Sequence, residues 1–329
     1  MMKSGCYRNA KQVANGRLQV VRASGSADVY LGNSYTYKLY MTGATISGGK
    51  CWAGGAGQTI TAYESDAMST FSCGFQVGSY NPMSVMVEDG VSPVDLLLSG
   101  NLTDGGSDKT LTKSGAGTLK TTANWSSLKD NCSISAGAWY VDNTGEYGMG
   151  IQTTTVAAGA TLGGTGHIGM KDVKNYATLT LKDGTEEKYA TLAPGTIDNE
   201  TGAHVYGTFT VAYTNRQNDV SLGKFSHVVV GVSARDKATK ASTNDMLKVH
   251  GTVTVGADCT LDLASNSPED ASLVKGGTYT VLEAESIVGD FANVVVPKRS
   301  WKVRKVVEDG VVKALTVTVP DNGFAVMVR

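Results

Sequence analysis

Proline, long apolar runs and any excess of one charge are what this chain has least of. Six prolines stand beside 40 glycines in 329 residues, aromatic residues make up 7% and charged residues 18%. Little proline with much glycine, threonine and valine argues against a disordered linker and suits many short strands joined by tight turns. The formal net charge of −1 removes any global electrostatic case for nucleic acid or an anionic membrane as partner. No stretch reaches the roughly 18 apolar residues of a membrane span. The opening Met1-Met2-Lys3-Ser4-Gly5-Cys6-Tyr7-Arg8 lacks the apolar core of a signal peptide. The expectation is either a cytosolic protein or, preferred here, a mature piece of a longer exported one.

Cysteine is scarce too. Cys6, Cys51, Cys73, Cys132 and Cys259 are odd in number and include no Cys-x-x-Cys, which is poor material for zinc or a full disulfide framework. Cys51 and Cys73 are spaced close to one turn of a coiled sheet, near enough for a disulfide if they stack. The simpler reading is buried thiols acting as small hydrophobes. The histidines (His167, His204, His227, His250) show no metal spacing, and no Gly-x-Ser-x-Gly elbow occurs.

What is present is strand and turn in rapid succession. The segments Val29–Leu31, Tyr35–Met41, Thr59–Tyr63, Thr70–Val77, Met83–Val87 and Val94–Leu98 read as short strands. No helical stripe of period 3.6 survives; the nearest candidate, Lys237–Leu247, is polar at its interior positions. Hairpin signals at Asp89-Gly90, Asp183-Gly184 and Asp309-Gly310 are fewer than a meander of this length needs. Phrases recur instead. Thr178–Leu181, Gly207–Val211 and Gly251–Gly256 read as one strand written three times, and Gly159–Leu162 matches Gly256–Leu261. Such self-similarity signals repeats that bury their faces only by stacking. An all-β parallel β-helix follows, with Val, Leu, Ile and Ala inward and Thr, Lys and Asp outward.

Leu111-Thr-Lys-Ser-Gly-Ala-Gly-Thr-Leu119, then Gly159-Ala-Thr-Leu-Gly-Gly-Thr-Gly166, then Thr191-Leu-Ala-Pro-Gly195 resemble, in this order, the autotransporter-associated β-strand repeat. That repeat belongs to passenger domains of bacterial autotransporters and related large secreted proteins. Further on, Asp245–Val255, Gly277–Leu282 with Ile287–Phe291, and Trp301–Val319 resemble the end of such a passenger. The likeness covers residues 108–319. It implies a right-handed parallel β-helix with a C-terminal antiparallel capping hairpin, exported and held at the cell surface (outer membrane-associated) or released. The family's membrane barrel has no counterpart in this chain, which fits a fragment or a relative exported by another route. The expected divisions are a frayed or truncated entry over 1–27, irregular coils over 28–107, repeat-like coils over 108–296, and a capping hairpin with tail over 297–329.

Parallel β-helices also include polysaccharide lyases and hydrolases, whose chemistry needs paired acidic groups. Gly166-His167 and Arg235-Asp236-Lys237 echo phrases of polygalacturonases, yet no Asp-Asp occurs, and an inverting glycosidase needs two carboxylates about 6.5–9.5 Å apart. His167 reads as a turn residue, and Arg235 and Lys237 as part of a solvated loop, Ser233–Asn244. Glu88-Asp89, Glu186-Glu187, Glu269-Asp270 and Glu308-Asp309 all fall at turn signals. Gly105-Gly106-Ser107-Asp108 only faintly matches a calcium β-roll phrase and does not repeat. Basic Pro297–Lys305 is read as edge protection ahead of a polyanion patch. Tyr35, Tyr37, Tyr40, Trp52, Tyr63 and Tyr80 are read as core or groove aromatics ahead of a sugar-stacking stripe. The expectation is therefore a non-enzymatic stalk, adhesin-like or scaffold segment with no catalytic, cofactor or metal residues. Extracellular glycans or other cell-surface proteins are its expected partners, and a polysaccharide-binding or polysaccharide-degrading protein is the alternative.

Overall fold

The computed structural model describes residues 17–21, 28–31, 34–35, 38–48, 50–52, 58–77, 83–104, 110–123, 131–145, 149, 153–169, 177–211 and 219–320. Within them the chain is all-β with no α-helix; the only helical turn is a 3-10 segment at Ala271–Leu273. Strands pair chiefly in parallel with the coil before and the coil after, which is the architecture of a parallel β-helix. One sheet, called sheet A here, runs through thirteen strands in series from Arg17–Val21 to Lys302–Glu308. A second, sheet B, has eleven, from Asp28–Leu31 to Asn293–Val295. A third ladder of four strands, sheet C, backs only the early coils.

Alternation decides which side chains point in. Thr110–Ser114, Asn131–Ile134, Thr153–Val156 and Thr178–Leu181 stack in sheet A with every second residue buried. Leu111, Cys132, Thr154 and Leu179 form one interior row and Lys113, Ile134, Val156 and Leu181 the next. In sheet B, Leu119, Trp139, Leu162 and Leu192 make a continuous row, each fully buried. Full burial of such a side chain contributes about 1.5–3 kcal/mol, but only when both neighbouring coils are present. Threonines line the outside: Thr153 lies opposite Thr178, and their hydroxyls hydrogen-bond at 3.2 Å.

The turn from sheet A to sheet B is a tight corner whose central residue takes positive φ. Gly115 (φ 79) and Gly159 (φ 83) hold it in the repeat-like coils. At Gly115 a side chain is also excluded by space, since a Cβ would lie 2.1 Å from the carbonyl oxygen of Val87. Phe225 (φ 62) and Asp258 (φ 58) take the same corner without glycine, a strained choice for L residues.

Several sequence expectations need correction. Thr70–Val77 is two strands, Ser69–Phe71 in sheet B and Gly74–Val77 in sheet C, because the chain turns a corner at Ser72-Cys73. Tyr35–Met41 likewise divides into Ser34–Tyr35 and Lys38–Thr42. Of the three Asp-Gly signals, only Asp309-Gly310 (φ 51 and 78) closes a hairpin; the other two turn corners between parallel strands. Gly207–Val211 is not a simple further coil of Thr178–Leu181. It pairs with the first half of the long strand Met246–Val255, whose second half pairs with Val220–Leu222. In the entry segment, Arg17–Val21 already pairs with Lys38–Thr42 as the first strand of sheet A; the rest of 1–27 lies outside the described residues.

The stack ends as expected, in an antiparallel hairpin. Val311–Val319 runs antiparallel to the last long strand, Gly277–Val288, and Lys302–Glu308 pairs outside it. Trp301, Leu315, Val317 and Val319 are buried beneath.

Candidate functional site

Most residues weighed for chemistry lie apart. His167 is not a turn residue: it lies buried in the two-residue strand His167–Ile168, which pairs with Thr210–Val211, and Asn143 accepts from its backbone N–H at 3.0 Å and places its amide nitrogen 3.2 Å from the ring. Arg235 and Lys237 are exposed on a loop closed by Asp236, whose carboxylate accepts from the N–H groups of Ala238 and Thr239. Of the acidic neighbours, Glu88 is half-buried and the other seven are exposed at turns. No group of three metal-ligating side chains occurs among the described residues. Cys51 stands opposite Phe75 in sheet C, so the ladder does not set it against Cys73; Cys73, Cys132 and Cys259 are buried. Tyr40 and Tyr63, on successive coils, stack with centroids 6.1 Å apart. The side chains of Tyr35, Tyr37, Trp52 and Tyr80, and the segment Gly105–Asp108, lie outside the described part.

Where polar side chains converge, they join coil to coil. The lysine of the first repeat phrase, Lys113, is fully buried and donates to the carbonyls of Gly115, Gly117 and Ala136 at 2.6, 2.6 and 2.9 Å. Burial pulls its ammonium down to about 8, opposed by the nearby Asp95 and Asp89 charges. Asp95, itself buried, accepts from the N–H groups of Gly90 and Thr118; burial raises its carboxyl against those hydrogen bonds. The lysine ties two carbonyls of its own corner to one of the next coil, with Gly117 also accepting from the Ala138 N–H at 3.4 Å, which is a structural task.

A second cluster surrounds a short ribbon that leaves the stack after Pro194-Gly195. Thr196 and Ile197 pair antiparallel with Val205 and His204 around a turn held by Asp198, whose carboxylate takes three bonds from Glu200 and Thr201. The ribbon lies back over earlier coils. Thr196 donates to Asp142 at 2.6 Å, Lys120 donates to the Ile197 carbonyl at 2.6 Å, and Gly202 rests against Pro93. Lys120 and Asp142 also form an ion pair at 3.2 Å.

At the ribbon's other strand His204 meets Asp245, Nε2 to Oδ2 at 2.8 Å. Asp245 is wholly buried and accepts further from the N–H groups of Gly207 and Gly231. Burial raises its carboxyl, with the His204 hydrogen bond and charge pulling the other way. A histidine held by a buried aspartate is a familiar proton-transfer unit. Here both aspartate oxygens are committed to backbone as well, and the ring stands edge-on to Tyr206 at 4.7 Å. The unit fastens ribbon to coil. Sequence reasoning missed it, because nothing marks a pair 41 positions apart.

The remaining feature is the C-terminal end. Sheet A goes two strands beyond the last strand of sheet B. Between the overhanging hairpin and Asn293–Val295 lies a cleft of about 180 Å³. Six larger apolar side chains line it, Val294 and Val303 among them, together with the charged Asp290, Arg304 and Lys305.

Comparison of the chain with protein-family models and with curated proteins finds no match to either.

Proposed function

We propose that this chain is a non-enzymatic, secreted or surface-exposed stalk or scaffold of the autotransporter-passenger kind. The observation that carries the reading is the ladder itself. Eleven strands of sheet B at about 4.8 Å each span about 50 Å, and side chains such as Asp95, Asp142 and Asp245 join one coil to another. A solenoid built in this way holds whatever is attached to its loops at fixed spacing, which is what a stalk requires. The ordered phrases from Leu111 to Gly195, matching the repeat of exported passengers, supply the link to export. Protease shaving of intact cells that express the native gene tests it: cleavage on the cell surface, or recovery from the medium, is expected. A protein found only in the cytosol overturns it.

The stacked Tyr40 and Tyr63 favour a second reading, a carbohydrate-binding solenoid, since flat rings at coil spacing suit sugar faces. A screen of uronic-acid and host glycans distinguishes the two. Binding abolished by Tyr63→Ala supports this second reading, and release of cleaved product overturns the non-enzymatic one.

A further inference from the structure

We infer that the C-terminal end of the solenoid receives an extended, acidic segment of another protein, which adds to Asn293–Val295 as the next strand of sheet B. The two sheets end differently. Sheet A ends on Lys302–Glu308, an exposed strand carrying Lys302, Arg304, Lys305 and Glu308, and such charges deter edge pairing. Sheet B ends two strands earlier on Asn293-Val294-Val295, which carries no charge and no proline. It is exposed along its whole length, Val294 at 45% and Val295 at 44%. One edge is protected and the other is left able to pair.

The unprotected edge also has walls. The hairpin overhangs it, and six of the nine exposed large hydrophobic residues among the described ones lie on this end of the molecule: Val288, Val294, Val295, Val306, Val307 and Val311. An incoming strand would exchange main-chain hydrogen bonds with Asn293–Val295 and set alternate side chains over the apolar cleft, the mode of β-strand addition. Charge then selects the occupant. Lys298, Arg299, Lys302 and Arg304 are exposed around the site, and Arg304 has no ion-pair partner among the described residues. Of the carboxylates close by, Asp290 is paired with Lys305, Asp262 beside Val295 accepts from Ala264 and Ser265, and Asp270, near Lys298, accepts from Ser272. A second copy of this end would bring the same cations face to face, at a cost. A strand with acidic residues at its ends or on its outward face meets them favourably.

The test uses the full chain and two labelled synthetic peptides of alternating Val and Thr, one flanked by glutamates and the other by lysines, with binding read by fluorescence polarisation. The glutamate peptide is expected to bind at least about tenfold more tightly than the lysine peptide. Val294→Lys, which places a charge on the edge, and Arg304→Glu, which removes the selecting cation, are each expected to weaken it about tenfold. Both positions are exposed, so circular dichroism should not change. Equal binding of the two peptides, no binding up to about 1 mM, or variants that bind as wild type overturn the proposal. So does a wild-type dimer that Val294→Lys dissociates, which assigns the edge to a second copy. None of these readouts depends on export.

Discussion

The coils between Thr110 and Pro194 and the closing segment from Gly277 to Val319 solve the same problem in opposite ways. An interior coil has a neighbour on each side. Its strands pair with the coils on either side, its Leu119–Trp139–Leu162–Leu192 row continues from coil to coil, and the buried Lys113 ammonium joins two carbonyls of its own corner to Ala136 on the next turn. After the last coil among the described residues, sheet A reverses direction and closes with its own hairpin, while sheet B ends on valines exposed to solvent. Stability in this fold is a property of contacts between coils, and the end of the stack is where it has to be supplied differently.

Four perturbations sharpen the contrast, beginning with the most damaging. Removing Lys298–Arg329 strips Trp301, Leu315, Val317 and Val319 from the last coil. Each contributes about 1.5–3 kcal/mol, so a loss above about 5 kcal/mol in denaturant unfolding, with reduced solubility, is expected. Unchanged secondary structure and solubility would remove the hairpin's capping role. Asp245→Ala leaves the N–H groups of Gly207 and Gly231 and the His204 ring without their acceptor. The expected cost is about 3–5 kcal/mol.

Lys113→Met comes next. It removes the ammonium donor from three corner carbonyls, one of which, on Gly117, keeps the Ala138 N–H at 3.4 Å; at about 1–3 kcal/mol for each carbonyl left unpaired, partly offset by relief of the buried charge, the net loss is about 2–4 kcal/mol. The pH profile separates the two contributions. The folded ammonium titrates at about 8, against the usual 10.5. Between those values the folded protein has shed the proton while the unfolded chain keeps it. Wild-type stability therefore rises with pH across this window, by up to about 3 kcal/mol, and the Met variant should show no such rise. Least damaging is Val307→Thr, at a position 56% exposed on the hairpin edge, where a change under about 0.5 kcal/mol is expected. A larger loss would mean that the exposed valines hold the fold together, which would weaken the case for them as a receiving surface.

Much of the architecture was legible in the sequence because the repeat writes it in local signals. The corner glycines Gly115 and Gly159 take a positive φ that favours glycine, and at Gly115 the Val87 backbone also excludes a side chain, so they stand out in the chain. Asp309-Gly310 between two valine-rich strands announced the closing hairpin. What stayed hidden depends on stacking. Phe225 and Asp258 occupy the same corner as those glycines but read as ordinary residues. The ribbon's anchors, Lys120 with Asp142 and His204 with Asp245, come together only because coils lie on one another. Coil length also varies, with successive strands of sheet A beginning at Thr110, Asn131, Thr153 and Thr178, so no fixed spacing reveals which side chains meet. The C-terminal cleft was equally invisible, since it arises from two sheets ending at different heights.

The in-register parallel stack underlies all of this and can be tested by cysteine trapping. Thr155 and Thr180 are direct partners on adjacent coils with outward, part-exposed side chains, whereas Leu181 points inward. Stacked neighbours about 4.8 Å apart fall within disulfide range. Mild oxidation of Thr155→Cys/Thr180→Cys should give a rapid intramolecular cross-link in the folded protein, and Thr155→Cys/Leu181→Cys should give none. Failure of the first pair to cross-link, or equal cross-linking of both, would contradict the stack.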